Sequence, residues 1–313
     1  MIPQLGTARV HPPPPSRADA AAASRLGGSR PPTWISASYD LLSRAARGLG
    51  PARFVLSDAA SAVTCQLSPH RVAACAMRHR RADPRLTPAQ ALARARASYR
   101  EYYRTVLDLI WADTLPLERV RRDHPIDGWE HIDTAIRDYG AGIFCLAHFG
   151  NWDMAATMAL SRGLALSTVM REFRPAFVNQ VIVRTRERRG LQVFTPGRAA
   201  RGLLRGLRQG RFLALLADIP EGGPTVKVHF CNGPVLFSTG PAEMARRSGC
   251  PLLPAACFRE TVRRYRIIVD AAVPLGGIAE MTQTLADRLE ALMVHAPEQW
   301  YPFNPVWTDE ETS

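Results

Sequence analysis

No apolar run in the sequence reaches the roughly 18 residues that a membrane-spanning helix needs, so no bilayer crossing is expected. Lysine is nearly absent: Lys227 stands alone among 40 basic residues, and the rest are arginine. Acid is scarce too, with 28 Asp and Glu leaving a formal charge of +12. Arginine in place of lysine is the usual look of a GC-rich genome and carries no function by itself. The excess of base over acid does, and it points to an anionic partner: nucleic acid, a membrane surface or a phosphorylated substrate. The six cysteines (Cys65, Cys75, Cys145, Cys231, Cys250 and Cys257) form no C-x-x-C pair and sit mostly in apolar segments. That usage predicts reduced core cysteines and a reducing cytosol. His229 and Cys231, even with Cys250 and Cys257, match no ligand spacing, so no metal is expected. Gly206 and Gly210 make no G-x-G-x-x-G after a strand, which leaves a dinucleotide site without support.

The composition is that of a globular protein, 46% hydrophobic and 22% charged, which rules out a disordered or fibrous chain as a whole. Residues 1–33 are different. A proline run at 12–15 and an alanine run at 20–23 cannot bury enough surface to order, so this stretch reads as a disordered tail without the apolar core of a signal peptide. A single domain is expected over 34–307, helical over 34–139 and α/β over 140–307, with a tail at 308–313. Trp34, Ile35, Leu41, Leu42, Ala45 and Leu49 share a helical face that suits either an interfacial helix or one packed on its own domain. Thr87-Pro88 is a good N-cap and first-turn pair for a helix over 89–110.

From about residue 140 short apolar runs alternate with helical patterns. Strands are expected over 143–147, 164–170, 191–194, 212–217, 226–230, 251–258 and 264–269. Helices are expected over 152–162, 176–189, 199–209, 240–248 and 281–295. The alternation predicts an α/β fold with a mainly parallel central sheet flanked by helices, preceded by the helical N-terminal region.

In such sheets ligands bind beyond the carboxyl ends of the strands. Three of those ends deliver useful groups. The first is followed by His148-Phe149-Gly150-Asn151-Trp152-Asp153, the second by Arg171, the fourth by Asp218 and then Ile219-Pro220-Glu221. Among the eight histidines only His148 has an acid five residues on. His148 sits on the turn leaving a strand, Gly150 lets backbone approach a ligand, and Asp153 falls in the first turn of the next helix. There a carboxylate can orient one imidazole nitrogen while the other takes a proton from a hydroxyl.

These residues, with the basic block after Arg171 and Leu216-Ala217-Asp218, resemble the bacterial lipid A biosynthesis (lauroyl/myristoyl) acyltransferases and the related phosphatidylinositol mannoside acyltransferases. Phe230-Cys231-Asn232-Gly233-Pro234, Ser238-Thr239-Gly240-Pro241-Ala242 and Pro297-Glu298-Gln299-Trp300 carry the same likeness, over about 34–307. The resemblance implies a glycerophosphate-acyltransferase-like fold. The implied reaction is transfer of a fatty acyl group from an acyl-carrier-protein or acyl-CoA thioester to a lipid hydroxyl. It implies His148 as general base, Asp153 as its partner, and Gly150, Asn151, Arg171, Arg186, Asp218 and Glu221 around the substrate. No cofactor beyond the thioester co-substrate is implied. The chain has no G-x-S-x-G, which agrees with the absence of a covalent acyl-serine. The implied setting is peripheral, on the cytoplasmic face of the inner membrane, as a monomer.

Eleven arginines between Arg171 and Arg211 face only Glu172 and Glu187, so this block carries most of the net charge. It suits a phosphate-bearing lipid, a membrane surface or an acidic carrier protein. Aromatics are not interleaved with it, which argues against nucleic acid. Two other readings stay open: an acyltransferase with a non-lipid acceptor, motivated by the unusual residues after Asp218, and a non-catalytic binder of anionic lipid.

Overall fold

The computed structural model describes residues 45, 48–112, 114–172, 176–195, 199–220 and 222–310. The expected tail over 1–33, most of the 34–49 segment and Glu221 lie outside the described residues.

Three helices open the described chain: α1 (Arg53–Leu67), α2 (Pro69–Ala82) and α3 (Pro88–Ala112). The start of α3 is a capping box. The Thr87 hydroxyl accepts from the Gln90 N–H at 3.3 Å, and the Gln90 side chain accepts from the Thr87 N–H at 2.9 Å. Val72, Cys75, Ala76, Ala91, Ala95 and Tyr99 form the small core that joins α2 to α3. Then follow α4 (Leu117–Asp123), β1 (Ile126–Asp127), α5 (Trp129–Tyr139), β2 (Ile143–Leu146), α6 (Trp152–Leu160), β3 (Leu166–Val169), α7 (Ala176–Arg188), β4 (Gln192–Phe194), α8 (Ala199–Arg208) and β5 (Phe212–Leu216). The chain continues through β6 (Thr225–His229), β7 (Pro234–Ser238), α9 (Gly240–Ser248), β8 (Leu252–Thr261), β9 (Arg264–Val269) and α10 (Ile278–Met293). Among the described residues no helix is long and apolar enough to cross a membrane.

The main sheet has the order β1-β9-β8-β2-β5-β3-β4 and is parallel except between β8 and β9. That exception follows from Val262-Arg263, a two-residue connection that can join only antiparallel neighbours. β2 is buried at every position because both sheet faces are covered. Ile143 and Cys145 pack with residues of α8, α9 and α10, while Phe144 and Leu146 pack with residues of α5 and α6. The sequence pattern does not mark Pro234–Ser238 as a strand; it pairs with β6 in a separate two-stranded antiparallel sheet. Cys231 and Asn232 make the turn with φ of 51° and 62°.

The segment expected as a C-terminal tail is anchored as far as residue 310. Asp309 takes two hydrogen bonds from Arg81 at 2.8 and 2.7 Å, and Glu310 takes one from Arg78 at 2.9 Å. Beside this contact lies His79, 1% exposed, 2.9 Å from the Ser98 hydroxyl and edge-on to Trp300. Burial, helped by the Arg94 charge, pushes its pKa down to about 3. In the unfolded chain a histidine titrates near 6.5, so between those values the unfolded state holds the extra proton. Stability therefore falls as pH drops through this window, by about 2 kcal/mol between pH 8 and pH 5 from this group alone. Denaturant titrations at the two pH values should show that loss, and His79→Gln should remove most of it.

Candidate active site

β2 and β5 are neighbours in register, with Leu146 opposite Leu216. Two residues further, each strand has ended and each chain carries a polar side chain, His148 and Asp218. Adjacent strands lie about 4.8 Å apart, so the two side chains meet. Asp218 Oδ2 accepts the His148 backbone N–H at 2.8 Å, and Oδ1 lies 2.9 Å from Nδ1 of the ring. A carboxylate can only accept, which puts the imidazole proton on Nδ1 and makes Nε2 the basic nitrogen. The carboxylate is nearly buried and the imidazole about one quarter exposed. The helices after these strands pack on opposite sheet faces, α6 on one and α9 on the other, so the pair stands at a topological switch point.

This geometry corrects the sequence reading, which sets Asp153 against His148. Asp153 is taken by Arg186, whose Nε and Nη2 donate to its two oxygens at 2.7 and 3.2 Å. The physical reason is topology. Asp153 rides on α6 into the sheet face, while β5 brings Asp218 directly alongside β2. Equal distance past two strand ends is the signal that could have found Asp218, but only once the two strands are known to be neighbours.

The His148 loop is held from below. At Gly150 φ is 63°, and a Cβ there would lie 1.8 Å from the Cys257 carbonyl oxygen, so only glycine fits. Its N–H donates to Gln299 O at 2.8 Å, and its carbonyl accepts from the Tyr301 hydroxyl at 3.0 Å. Gln299 also brackets Arg259 of β8, accepting from its N–H and donating to its carbonyl, both at 2.8 Å. The Pro297–Trp300 block is thus a clamp on the loop. Asn151, expected at the substrate, is 1% exposed. It caps α6 by accepting from Met154 N–H at 2.8 Å and donates to the Tyr265 hydroxyl at 3.1 Å. It supports the loop, with its amide oxygen and nitrogen both engaged inside the protein.

Arg171 is exposed past the end of β3, with β5 between it and β2, about two strand spacings or 10 Å from the imidazole's strand. The basic block is not one patch. Arg186 holds Asp153, Arg189 donates to Leu115 O, and Arg211 donates to Ser167 and Leu166, while Arg201, Arg205 and Arg208 form an exposed stripe on α8. Spacing in the sequence could not distinguish these inward and outward directions.

An apolar cavity of about 70 Å³ runs under α6 along the sheet face that carries Phe144, Leu146, Ala214 and Leu216. Ala156, Ala159, Leu166, Ile267 and Val269 continue its wall, and among the described residues its only charged lining is the Asp153–Arg186 pair. Trp152 lines it as well and packs edge-on against His148, with ring centroids 5.2 Å apart. Trp152 thus stands between the cavity and the imidazole, in contact with both. Burial pushes the thiols of Cys145, Cys231 and Cys257 above their ordinary values, which keeps them protonated and poor nucleophiles. The arrangement offers a positioned base beside a narrow apolar slot.

Residues 89–309 match the family model described as "Bacterial lipid A biosynthesis acyltransferase". A phosphatidylinositol mannoside acyltransferase of Mycobacterium tuberculosis is 30% identical over 230 residues, covering 72% of this chain and 72% of that protein. One from Mycolicibacterium smegmatis is 28% identical over 217 residues, covering 67% of this chain and 70% of that protein. On this match and on an α/β fold of the expected kind, the chain belongs to the bacterial lipid A biosynthesis acyltransferase family and is an acyl-transferring enzyme.

Proposed function

We propose that the protein moves a fatty acyl group from an acyl-carrier-protein or acyl-CoA thioester to a hydroxyl of a phosphorylated or glycosylated lipid, at the cytoplasmic membrane face. The observation that carries the reading is His148, with Nδ1 on Asp218, one side chain (Trp152) away from the apolar cavity under α6. Nε2 takes the proton of the acceptor hydroxyl as its oxygen attacks the thioester carbonyl. Asp218 stabilises the imidazolium that forms. The tetrahedral adduct then collapses, the C–S bond breaks, and the imidazolium returns its proton to the leaving thiolate. Ester and free thiol are the products, and no acyl-enzyme is needed. The cavity suits a hydrocarbon tail, since its wall is apolar and its one ion pair is internally neutralised. Arg171 and the exposed Arg201, Arg205 and Arg208 are suited to the phosphate of an acceptor or to an acidic carrier.

The test is incubation of the purified enzyme with labelled acyl-CoA and, separately, labelled acyl carrier protein, each with a bacterial membrane lipid extract. Label should enter a lipid product with at least one donor. His148→Ala should remove about 10²–10⁴ of the rate while its circular dichroism stays that of the wild type. Transfer that survives the substitution would overturn the assigned base, and label found only in water-soluble product would overturn the lipid acceptor.

A further inference from the structure

The helix α1 presents an apolar face that nothing in the described chain covers. Val55, Leu56, Val63 and Leu67 are 70, 55, 52 and 77% exposed. Ala59, Ala60 and Ala62 lie between them, also exposed. At 100° per residue these positions span an arc of about 160°, nearly half the helix circumference. Gln66 is the one polar residue on that arc. The charges of α1 point away from it. Arg53 is buried against Asp108, and Asp58 is held by Arg104 at 2.6 and 2.7 Å. The helix is thus inverted relative to an ordinary surface helix, with serines 57 and 61 turned inward and its larger aliphatics mostly turned out. Scattered exposed apolar side chains are normal, but a continuous stripe along a whole helix marks a binding surface.

The occupant follows from charge and shape. The next helix, α2, carries His70, Arg71, Arg78, His79, Arg80 and Arg81 and no acid. His70, Arg71 and Arg80 are exposed, and Arg96 of α3 is exposed and close enough to Cys65 of α1 to act on its thiol. An uncharged apolar stripe continued at its C-terminal end by a helix of exposed cations is a pattern that suits the headgroup layer of an anionic leaflet. A strip about 22 Å long and 10 Å wide, a single helix face, has the shape of an amphipathic helix lying in the headgroup layer. We infer that α1 is the surface by which the protein lies on an anionic lipid bilayer, with α2 supplying the flanking positive charge.

This inference deepens the lipid-acyltransferase reading but stands on a surface outside the proposed catalytic pair, so the two can fail separately. The full-length protein is mixed with vesicles of phosphatidylcholine alone or with about one third phosphatidylglycerol, and bound protein is separated by flotation. Wild type should float with the anionic vesicles, and V55D/V63D should lose about tenfold or more of that partition. Both sites are exposed, so the fold should persist, checked by an unchanged unfolding midpoint. Val262→Asp, at an exposed position in the β8–β9 turn, should float like wild type. With acceptor lipid dispersed in detergent the α1 variant should turn over normally, and with the same lipid in vesicles it should not. Equal flotation of wild type and α1 variant overturns the inference, as does failure of wild type to float. A change from dimer to monomer in sedimentation would assign the stripe to a second copy and overturn it too. Absence of turnover by wild type on dispersed lipid would instead sink the acyltransferase reading and leave the flotation result standing.

Discussion

Asp218→Asn lowers kcat by about 10²–10⁴ with little change in KM or stability, and it is more damaging than Asp218→Ala. The two oxygens of Asp218 serve one residue: Oδ2 accepts the His148 backbone N–H and Oδ1 faces Nδ1. An asparagine has one oxygen and one NH₂. The backbone N–H can only donate, so it claims the oxygen and forces the NH₂ onto Nδ1. Nδ1 must then be the acceptor, the ring proton moves to Nε2, and the base is lost although every heavy atom stays in place. Alanine removes the orienting group but imposes no tautomer, so water can partly replace it. Steady-state kinetics on both variants decide the matter. Asparagine activity at or above that of alanine would mean that Asp218 acts by charge alone. A rise in KM with kcat unchanged would place Asp218 in substrate binding.

The same strand ends show where sequence reasoning reaches and where it stops. The run 143–147 reads as a strand because a short unbroken apolar stretch suits burial on both faces, and β2 is buried throughout. Thr87-Pro88 reads as a helix start because its chemistry is local, and the capping box is there. Pro234–Ser238 escaped because its leading proline reads as punctuation, whereas proline is tolerated as the first residue of a strand. His148 is legible from its strand end and Asp218 from its own, but their pairing depends on β5 lying beside β2 rather than β3 doing so. Strand order is a property of the whole sheet, and no local pattern carries it. Asp153, five residues away in sequence, is therefore the natural choice for the partner and the wrong one. Asn151 shows the complementary limit: an amide near a strand-end histidine can bind a ligand or cap a helix, and only burial separates the two.

Asp108→Ala lowers the unfolding free energy by about 3–5 kcal/mol, the largest stability effect expected of any single truncation here. Asp108 is fully buried on α3 and accepts from three elements at once: Arg53 Nε of α1 at 2.8 Å, Arg259 Nη1 of β8 at 2.6 Å and the Tyr265 hydroxyl of β9. Burial alone would lower the pKa of Arg259, yet on balance it is raised, and near neutral pH the negative charge beside it is that of the Asp108 and Glu101 carboxylates, so the guanidinium stays ionised inside the protein. Removing the carboxylate leaves two buried guanidinium groups with, among the described residues, Glu101 beside Arg259, a carboxylate already shared with Arg104. One nitrogen of each, Nη2, already lacks a partner, so there is no spare capacity to absorb the loss. The same hydroxyl of Tyr265 receives Asn151, which caps α6 next to His148, so the defect reaches the site. Tyr265→Phe, which removes the bond given to Asp108 and the one taken from Asn151 but leaves the charges balanced, should cost only about 1–3 kcal/mol. Guanidinium titrations compare the two variants. A loss below about 1 kcal/mol for Asp108→Ala would mean that water enters and solvates the arginines. The tie between the helical layer and the sheet would then have to be credited to apolar packing instead. The expected ordering is Asp108→Ala above Tyr265→Phe, because the first takes the shared counter-charge from two buried guanidinium groups and the second removes only hydrogen bonds.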